Sequence, residues 1–320
     1  MTDIQVLVLR GAGVSSVALT LDALSTVNQL AAAANERPPF RVGLSGSGAA
    51  AWSDLSGFPA ADADTVPQML IMPGLGMSRH DEIVTRLAAD DVADARARLG
   101  WAVSRGAEVA TSCSGTFLLA ASDLLAGRRA TTSWWLAPIF RRLHPTVQLV
   151  MDQLIVRDGP FTTAGASLAQ MDLMLSLVAR FAGAEMADKC SRYMLLDERR
   201  SQSRYMALSY LSVADEKVSR AEAWARAHLA EDVSIQELAA AAGLAPRTFA
   251  RRVERVTGLS PIRFLQRLRI EAATDLIETT RLPVEEIARR VGYADPSALR
   301  RVMQRESGTR PASLRRATGA

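Results

Sequence analysis

Cys113 is the residue whose surroundings in the sequence most suggest chemistry. The stretch Glu108-Val-Ala-Thr-Ser-Cys113-Ser-Gly115 has strand character up to the cysteine, and a helical pattern begins directly after it. A strand that passes through such a residue into a helix, with a glycine two positions later, has the outline of a nucleophile elbow. The turn presents the side chain beside backbone N–H groups at a helix start, which suits a reactive thiol or a bound anion.

A second set of candidate binding residues is a group of arginines within residues 234–316, where one pattern occurs twice. In each copy a short helical pattern ends at a glycine, Gly243 or Gly292, and a second helical pattern then ends at Gly258 or Gly308. The first pair of glycines is 49 positions apart and the second pair 50, so one residue is inserted in the second copy. Two short helices joined at a glycine are typical of a helix-turn-helix.

Capping residues predict where the helices of the first copy begin. Ser234, with Glu237 three positions later, forms a capping box. Pro246 suits the first turn of the next helix because its missing N–H needs no partner there. Gly243 between them can take the left-handed conformation that a tight turn requires. Later helices are expected at 246–256, 261–279 and 297–306.

The doubled pattern with its long joining helix resembles the DNA-binding domain of the AraC/XylS family of bacterial regulators. The match is carried by the two glycine turns, by Arg251 and Arg301, and by the segments Gly258-Leu-Ser-Pro261 and Gly308-Thr-Arg-Pro311. The resemblance implies double-stranded DNA as a partner. Arg251 and Arg301 match DNA-facing positions of the family, and their alternative roles are phosphate binding and bracing of the fold. The implied DNA-binding residues are Arg247, Thr248, Arg251, Arg252, Ser297, Arg300 and Arg301.

The first half of the chain alternates short apolar runs with helical patterns. Alternation of this kind predicts an open, mainly parallel sheet covered by helices on both faces, as in flavodoxin-like folds. The expected strands are 4–9, 40–44, 69–72, 108–111, 147–151 and 154–156. The expected helices are 15–34, 80–103, 115–125, 134–143 and 168–181. The predicted fold class is therefore an α/β domain followed by an all-α domain of two helix-turn-helix motifs joined by a long helix.

The apolar strand Met69-Leu-Ile-Met leads straight into a turn at Pro73-Gly74. In open α/β folds, ligands bind at the carboxyl ends of the strands, and this turn places its backbone at that edge of the sheet.

The cysteine turn, the Thr-Thr-Ser133 segment and the segment at 162–166 together resemble the PfpI-type, class I glutamine amidotransferase-like domain. Joined to an AraC-type domain, they are similar to the GlxA group of transcription factors over essentially the whole chain. The implied ligand pocket contains Asp22, Gly74, Leu75, Cys113, Ser114, Gly115, Thr132 and Ser133.

Two departures from the amidotransferase-like pattern bear on catalysis. Hydrolytic relatives carry a histidine directly after the cysteine and often another after the Thr-Thr pair, whereas this chain has Ser114 and Ser133 there. Asp22 matches an acidic residue of the first helix, but an acid without a base does not activate a nucleophile. We therefore expect no catalytic residue, and His80 is the one histidine expected near a loop at the same sheet edge.

Composition limits the class of protein. The chain has 320 residues and 48% apolar side chains, enough for two packed domains, expected at 1–184 and 216–320 with a connector at 185–215. Two cysteines and three histidines without ligand-like spacing predict no structural metal and no cofactor. The sequence has no leader pattern and no run of about 18 apolar residues, so we expect a cytoplasmic protein without a membrane partner.

Charge is distributed unevenly between the two halves. Residues 216–320 hold 19 Lys and Arg against 13 Asp and Glu, a net charge of +6, which leaves 19 basic and 21 acidic residues and a net charge of −2 for the remainder. Neutralising DNA phosphates releases counterions and supplies most of the sequence-independent affinity. The basic excess therefore lies where the repeat predicts DNA binding.

These patterns predict a sequence-specific DNA-binding transcriptional regulator. The resemblance implies an activator and a homodimer that acts with RNA polymerase, controlled by a small-molecule effector in a degenerate, non-catalytic first domain. The alternative is a cysteine-dependent amidase or glyoxalase-like enzyme centred on Cys113 with an appended DNA-binding domain. A third hypothesis makes the first domain a dimerisation module only. Residues 199–202 resemble a junction segment of the GlxA group, which is either a relay to the DNA-binding domain or a passive tether.

Overall fold

The chain forms two compact units, Met1–Gln202 and Ser203–Ala320. The structure is a computed structural model that describes residues 1–77, 79–197, 199, 201–202, 205–213 and 215–307, with the side chains of 80, 306 and 307 outside that description. The first unit therefore reaches past residue 184 and includes most of what the sequence suggests is a connector. In the described part of the chain, no helix combines the length and the apolar character needed to cross a membrane.

A mainly parallel sheet lies at the centre of the first unit. Its strands and those of a small second sheet are β1 (Thr2–Leu7), β2 (Phe40–Ser45), β3 (Met69–Met72), β4 (Glu108–Ser112), β5 (Arg129–Ala130), β6 (Gln148–Leu149), β7 (Ile155–Asp158) and β8 (Phe161–Ala164). Over the described residues the main sheet has the order β2-β1-β3-β4-β8-β7, and β5 pairs with β6 alone. Pairing is parallel from β2 to β8, while β7 runs antiparallel to β8.

Helices cover both faces of this sheet, which confirms the predicted fold class. They are α1 (Val14–Ala33), α2 (Ala49–Ser56), α3 (His80–Leu87), α4 (Asp90–Val103), α5 (Gly115–Ala121), α6 (Ala137–Leu143), α7 (Ala169–Phe181) and α8 (Ala184–Tyr193), with a 3-10 turn at Trp134–Leu136. Successive side chains of a strand point to opposite faces, so Val6 packs with α1, α7 and α8, while Leu7 packs with α3 to α6. Strands buried on both faces explain the continuous apolar runs of the sequence.

Several elements differ from the sequence-based expectations. The expected helix 80–103 is two helices. The first, α3, ends near Ala88, and the second, α4, begins with an acidic first turn that contains Asp90 and Asp91. The expected strand 147–151 is reduced to β6, outside the main sheet. The sequence patterns predicted neither α2 nor the strand β8, whose four residues lie between β4 and the edge strand β7.

The second unit is all-helical over its described residues. Its helices are α9 (Leu208–Ser212), α10 (Glu216–Ala227), α11 (Ile235–Ala241), α12 (Pro246–Thr257), α13 (Pro261–Thr279), α14 (Val284–Arg290) and α15 (Pro296–Ser307). The pairs α11/α12 and α14/α15 form the two helix-turn-helix motifs, and α13 contacts both second helices. The expected long helix at 261–279 is therefore confirmed residue for residue.

Glycine turns join the two helices of each motif. Gly243 has φ of 64° and Gly292 has φ of 80°, both in the left-handed region that side chains with a Cβ rarely adopt. The capping box predicted at the start of α11 is present, since Ser234 Oγ accepts from the Glu237 N–H and the Glu237 carboxylate accepts from the Ser234 N–H. The predicted motif at 308–311 lies outside the described residues.

Candidate functional site

Cys113 sits on the turn between β4 and α5, in the outline that the sequence predicts. Its φ of 52° is in the left-handed region, which is unusual for a residue with a side chain, and only 5% of its surface is exposed. A Cβ added to Gly115 would lie 2.1 Å from Thr111 Oγ1, so the close approach of the helix start to the strand requires glycine there. Strand, strained turn and glycine together hold the thiol in one fixed position.

Hydroxyl groups surround the thiol. Ser133 Oγ donates to Cys113 Sγ at 3.0 Å, and Ser167 Oγ lies 3.9 Å from the same sulfur. Thr132 Oγ1 donates to the Cys113 carbonyl at 2.7 Å. Among the side chains that the structure describes, which do not include that of His80, no histidine or carboxylate contacts the sulfur.

The histidines of the described chain have other surroundings. His144 packs against the rings of Phe117 and Phe140, and this burial lowers the pKa of its imidazole. His228 belongs to the second unit, where it stacks on Trp224 at 4.2 Å between ring centroids. The side chain of His80 lies outside the described residues.

Three backbone amides near the thiol, those of Gly74, Leu75 and Cys113, have internal acceptors. The Gly74 N–H donates to Ser16 Oγ at 3.0 Å, and the Leu75 N–H donates to Ser114 Oγ at 2.9 Å. The Cys113 N–H is shared between the carbonyls of Ala164 and Gly165. Acyl transfer needs N–H groups aimed at the developing oxyanion, and these three amides are directed at groups of the protein instead. Ser114 thus fills the position next to the cysteine with a structural hydrogen bond.

The structure brings most of the expected pocket residues together, with one exception. Leu75 contacts Ser114, and Thr132 and Ser133 both contact Cys113. Gly74 also lies beside the cysteine, because a Cβ added to it would be 3.3 Å from the Cys113 Cβ, and Gly115 directly follows the turn. The side chain of Asp22 is exposed on α1, and Ser16, one turn and a half earlier, makes the contact with Gly74.

Polar residues that the sequence analysis missed continue this network. Gln170 is fully buried, and its amide donates to Thr20 Oγ1 at 2.8 Å while Ser16 Oγ lies 3.4 Å from its oxygen. A polar residue in the first turn of a predicted helix is a signal that the sequence offers, and both Ser16 and Gln170 have that position. The contact between Ser16 and Gln170 could not be predicted, because 154 positions separate the two residues in the chain.

An ion pair lies at the end of the first unit. Arg199 donates to Asp172 at 2.5 Å and to the Leu168 carbonyl at 2.8 Å. Burial raises the pKa of the Asp172 carboxyl, and the hydrogen bond and charge of Arg199 oppose that change. The pair fastens residue 199 to the start of α7.

Arginines of α12 form the first candidate DNA interface. Arg247 and Arg251 are exposed, and neither has a side-chain partner among the described residues. Arg252 is half-buried and donates to both oxygens of Asp215, at 3.2 and 2.9 Å, so its guanidinium braces the start of α10. Thr248 is half-buried beside them.

The corresponding face of α15 carries the second candidate interface. Ser297, Arg300 and Arg301 are all exposed. Arg300 contacts Glu285 at 3.1 Å, and Arg301 lies 3.8 Å from Asp295. Both pairs lie at the surface, where solvent weakens an ion pair, so DNA phosphates can replace these partners.

Comparison with known proteins supports the two-part architecture. The family model described as a helix-turn-helix domain matches residues 238–317. The HTH-type transcriptional regulator CdhR of Pseudomonas aeruginosa is 27% identical over 187 residues, covering 58% of this chain and 55% of CdhR. The HTH-type transcriptional regulator GlxA of Rhizobium meliloti is 25% identical over 228 residues, covering 67% of each chain. The match to CdhR thus spans little more than half of that protein.

Two further comparisons concern the first unit and enzymatic activity. A solved AraC family transcriptional regulator from Pseudomonas putida matches 61% of this chain and 100% of its own, at 17% identity and a TM-score of 0.43. An isonitrile hydratase of Pseudomonas putida is 35% identical over 80 residues, which is 25% of this chain and 33% of that enzyme. The regulators match much longer stretches than the hydratase does. Residues 238–317 thus match a helix-turn-helix domain, and the chain is similar to HTH-type transcriptional regulators such as CdhR and GlxA.

Proposed function

We propose that the protein is a sequence-specific DNA-binding transcriptional regulator. The observation that carries this proposal is that Arg247 and Arg251, on the second helix of the first motif, are exposed and have no side-chain partner among the described residues. Arginine side chains free of internal partners on such a helix are suited to base edges and phosphates in a major groove. The same face of the second motif presents Ser297, Arg300 and Arg301, which gives one protomer two DNA-contacting helices.

We further propose that the first unit binds a small-molecule effector without transforming it. The thiol of Cys113 has hydroxyl neighbours in place of a base, and the nearby Gly74 and Leu75 amides are occupied by Ser16 and Ser114. Such a site offers hydroxyls to a polar ligand, and the side chains that the structure describes around it include no proton shuttle of the kind that hydrolysis or hydration requires. An effector that prefers one conformation of the protein would shift the population towards it.

Homodimerisation through the first unit, transcriptional activation and contact with RNA polymerase complete the proposal. They rest on the resemblance to GlxA-type regulators, as does a cytoplasmic location. An alternative within this proposal is that the first unit serves only for dimerisation and binds no effector. Stabilisation by a metabolite distinguishes the two, because a ligand at 100 times its dissociation constant raises the folded state's stability by about 2.7 kcal/mol.

A cysteine-dependent enzyme is the second candidate function, favoured by the similarity to an isonitrile hydratase. Cys113→Ser tests it directly. We expect the variant to keep the promoter response within a few-fold of wild type, because a hydroxyl replaces the thiol among similar hydroxyls. A hydrolase or hydratase activity of the wild type that disappears in Cys113→Ser would show that the first unit is a cysteine-dependent enzyme.

Selection from a random duplex pool tests DNA binding itself. Full-length protein is expected to enrich a defined sequence and to bind it more tightly than a shuffled duplex at the same salt concentration, by a factor of about 10³ or more. Equal affinity for both duplexes at physiological salt would contradict a sequence-specific regulator.

A further inference from the structure

The second helix-turn-helix motif has an apolar core of its own. In the described chain, the buried cluster that holds α14 and α15 on α13 begins at Ile270 and runs to Met303. It contains no side chain of α10, α11 or α12. Apolar packing is non-directional, so this core restricts the angle of the second motif on α13 less sharply than hydrogen bonds would. A directional contact between the two motifs would restrict that angle further.

Arg269, on α13, makes such a contact. Its guanidinium donates to the Glu231 carbonyl at 2.8 Å, in the loop that leads from α10 into the first motif. A hydrogen bond from a charged donor is stronger than one between neutral groups. The same guanidinium lies over the ring of Tyr293, 5.8 Å from the ring centroid, in the turn of the second motif. One side chain thus connects the loop before the first motif with the turn of the second.

The backbone of the second turn lies directly against the same loop. A Cβ added to Gly292 would be 2.2 Å from the Leu229 carbonyl oxygen and 2.7 Å from a guanidinium nitrogen of Arg269. Only a glycine permits so close an approach of the two segments. We call this contact the inter-motif joint, and its residues are Leu229, Glu231, Arg269, Gly292 and Tyr293.

The first copy of the repeat has an arginine at the equivalent position, but that side chain stays within its own motif. Arg220 and Arg269 are separated by 49 positions, the same offset as the two turn glycines. Arg220 lies on α10 and donates to the Ala242 carbonyl at 2.9 Å, at the end of α11. Two equivalent arginines therefore have different contacts, because Arg220 braces the first motif and Arg269 connects the two motifs.

We propose that Arg269 is a positioning residue that, together with α13, fixes the spacing of the two DNA-contacting helices, α12 and α15. The proposal rests on the function proposed above. Because α12 belongs to the first motif and α15 to the second, an intact joint gives the two helices one defined separation. That separation selects duplexes whose two contacted segments have the matching distance and rotation about the DNA axis. Without the Arg269 contacts the second motif can adjust, so the protein accepts a wider range of spacings.

Binding to duplexes of altered spacing tests this role in the full-length protein. The duplex selected from the random pool is compared with one that has a base pair inserted midway between the two contacted segments. The insertion moves one segment by about 3.4 Å and rotates it by about 35°. Wild type is expected to bind the inserted duplex about ten-fold or more weakly, as it would a mismatched site, whereas Arg269→Ala loses about three-fold or less. Arg220→Ala is the matched control and is expected to keep the wild-type ratio of affinities.

The ratio of the two affinities decides the outcome. An unchanged ratio in Arg269→Ala would overturn the positioning role, and a uniform loss on both duplexes would make Arg269 a phosphate contact instead. Equal relaxation by Arg220→Ala would also overturn it, because the effect would then reflect general destabilisation of the unit. Arg269→Met keeps the apolar stem without the donor, so it provides the same test if urea unfolding shows that Arg269→Ala is not folded. Failure of the underlying function appears separately, as equal affinity of the wild type for the selected and the shuffled duplex.

Discussion

At the scale of single residues, the arginines of α12 divide by their partners. Arg247 and Arg251 have none among the described residues, while Arg252 and Arg255 both contact Asp215. The Asp215 carboxylate also accepts from the Lys217 and Val218 N–H groups as the N-cap of α10. Adjacent arginines of one helix thus have different tasks, with Arg251 available to DNA and Arg252 holding two helices together.

Two alanine variants separate these tasks. Arg247→Ala should relax the preference at one base pair, costing roughly 1–3 kcal/mol of discrimination if the side chain binds guanine. Arg252→Ala should lower the stability of the second unit by about 1 kcal/mol and leave base preference unchanged, because it removes a partner of Asp215. Binding titrations on single-substituted duplexes and urea unfolding measure the two effects. Equal loss by Arg247→Ala on selected and shuffled DNA would assign it to phosphate instead.

Sequence alone identified the cysteine turn but not the complete set of side chains around it. The order strand, Cys113, glycine is local, so its outline is visible in the sequence. Ser16 and Gln170 join this region through contacts between distant segments, and their positions at helix starts do not reveal which partners they have. Asp22 was singled out as the acid of the first helix, but helical geometry places its side chain in solvent.

At the scale of elements, Asp91 joins three segments of the first unit. At the start of α4 it accepts two hydrogen bonds from Arg86 of α3, at 2.6 and 2.8 Å, and one from Ser47 of the loop after β2. The Arg86 hydrogen bonds, together with Ser47 and the neighbouring positive charges, hold the pKa of the Asp91 carboxyl far below its usual range. The ion pair therefore links α3 to α4 across the break between them.

A pH series tests this contribution. The folded-state pKa of Asp91 lies below its unfolded value of about 4, so its stabilisation is complete above that pH and declines as the pH falls further. Asp91→Asn should cost roughly 1–3 kcal/mol at neutral pH and progressively less in acid. Urea unfolding at each pH measures the difference, with the exposed Asp94→Asn as control. If the difference in free energy of unfolding between wild type and Asp91→Asn did not change with pH, the charge of Asp91 would contribute nothing to stability.

The two glycine turns are not equivalent, although both have positive φ. A Cβ at Gly292 would lie 2.2 Å from the Leu229 carbonyl oxygen, whereas at Gly243 the nearest atom is the movable end of Arg220 at 2.9 Å. Gly243→Ala should therefore cost about 1–2 kcal/mol from the left-handed backbone alone. Gly292→Ala should cost more, because backbone must also move. Unfolding midpoints of the two variants compare them, and equal midpoints would show that the second turn can relax.

Element by element, the sequence predicted the second unit better than the first. Helix α13 and the turns of both motifs depend on caps, glycines and periodicity, which are local signals. Strand β8 has only four residues and lies in the sheet because of its pairing with β4 and β7, which is not local. The split between α3 and α4 was hidden because neither glycine nor proline marks it.

At the scale of the whole molecule, we infer that one protomer contacts DNA through two helices, α12 and α15. α12 and α15 both contact α13, so a single long helix fixes their separation within the second unit. Two helices held in this way should enter successive major-groove segments on one side of the duplex, about 34 Å apart. The basic excess of residues 216–320 provides the phosphate contacts that both placements need.

Hydroxyl-radical footprinting of the full-length protein on its selected duplex tests this claim most directly. We expect each protomer to protect two segments about one helical turn apart, on the same face of the DNA. Arg247→Ala should weaken protection in one segment and leave the other in place. Protection confined to a single major-groove segment per protomer, or identical protection on a shuffled duplex, would contradict the account.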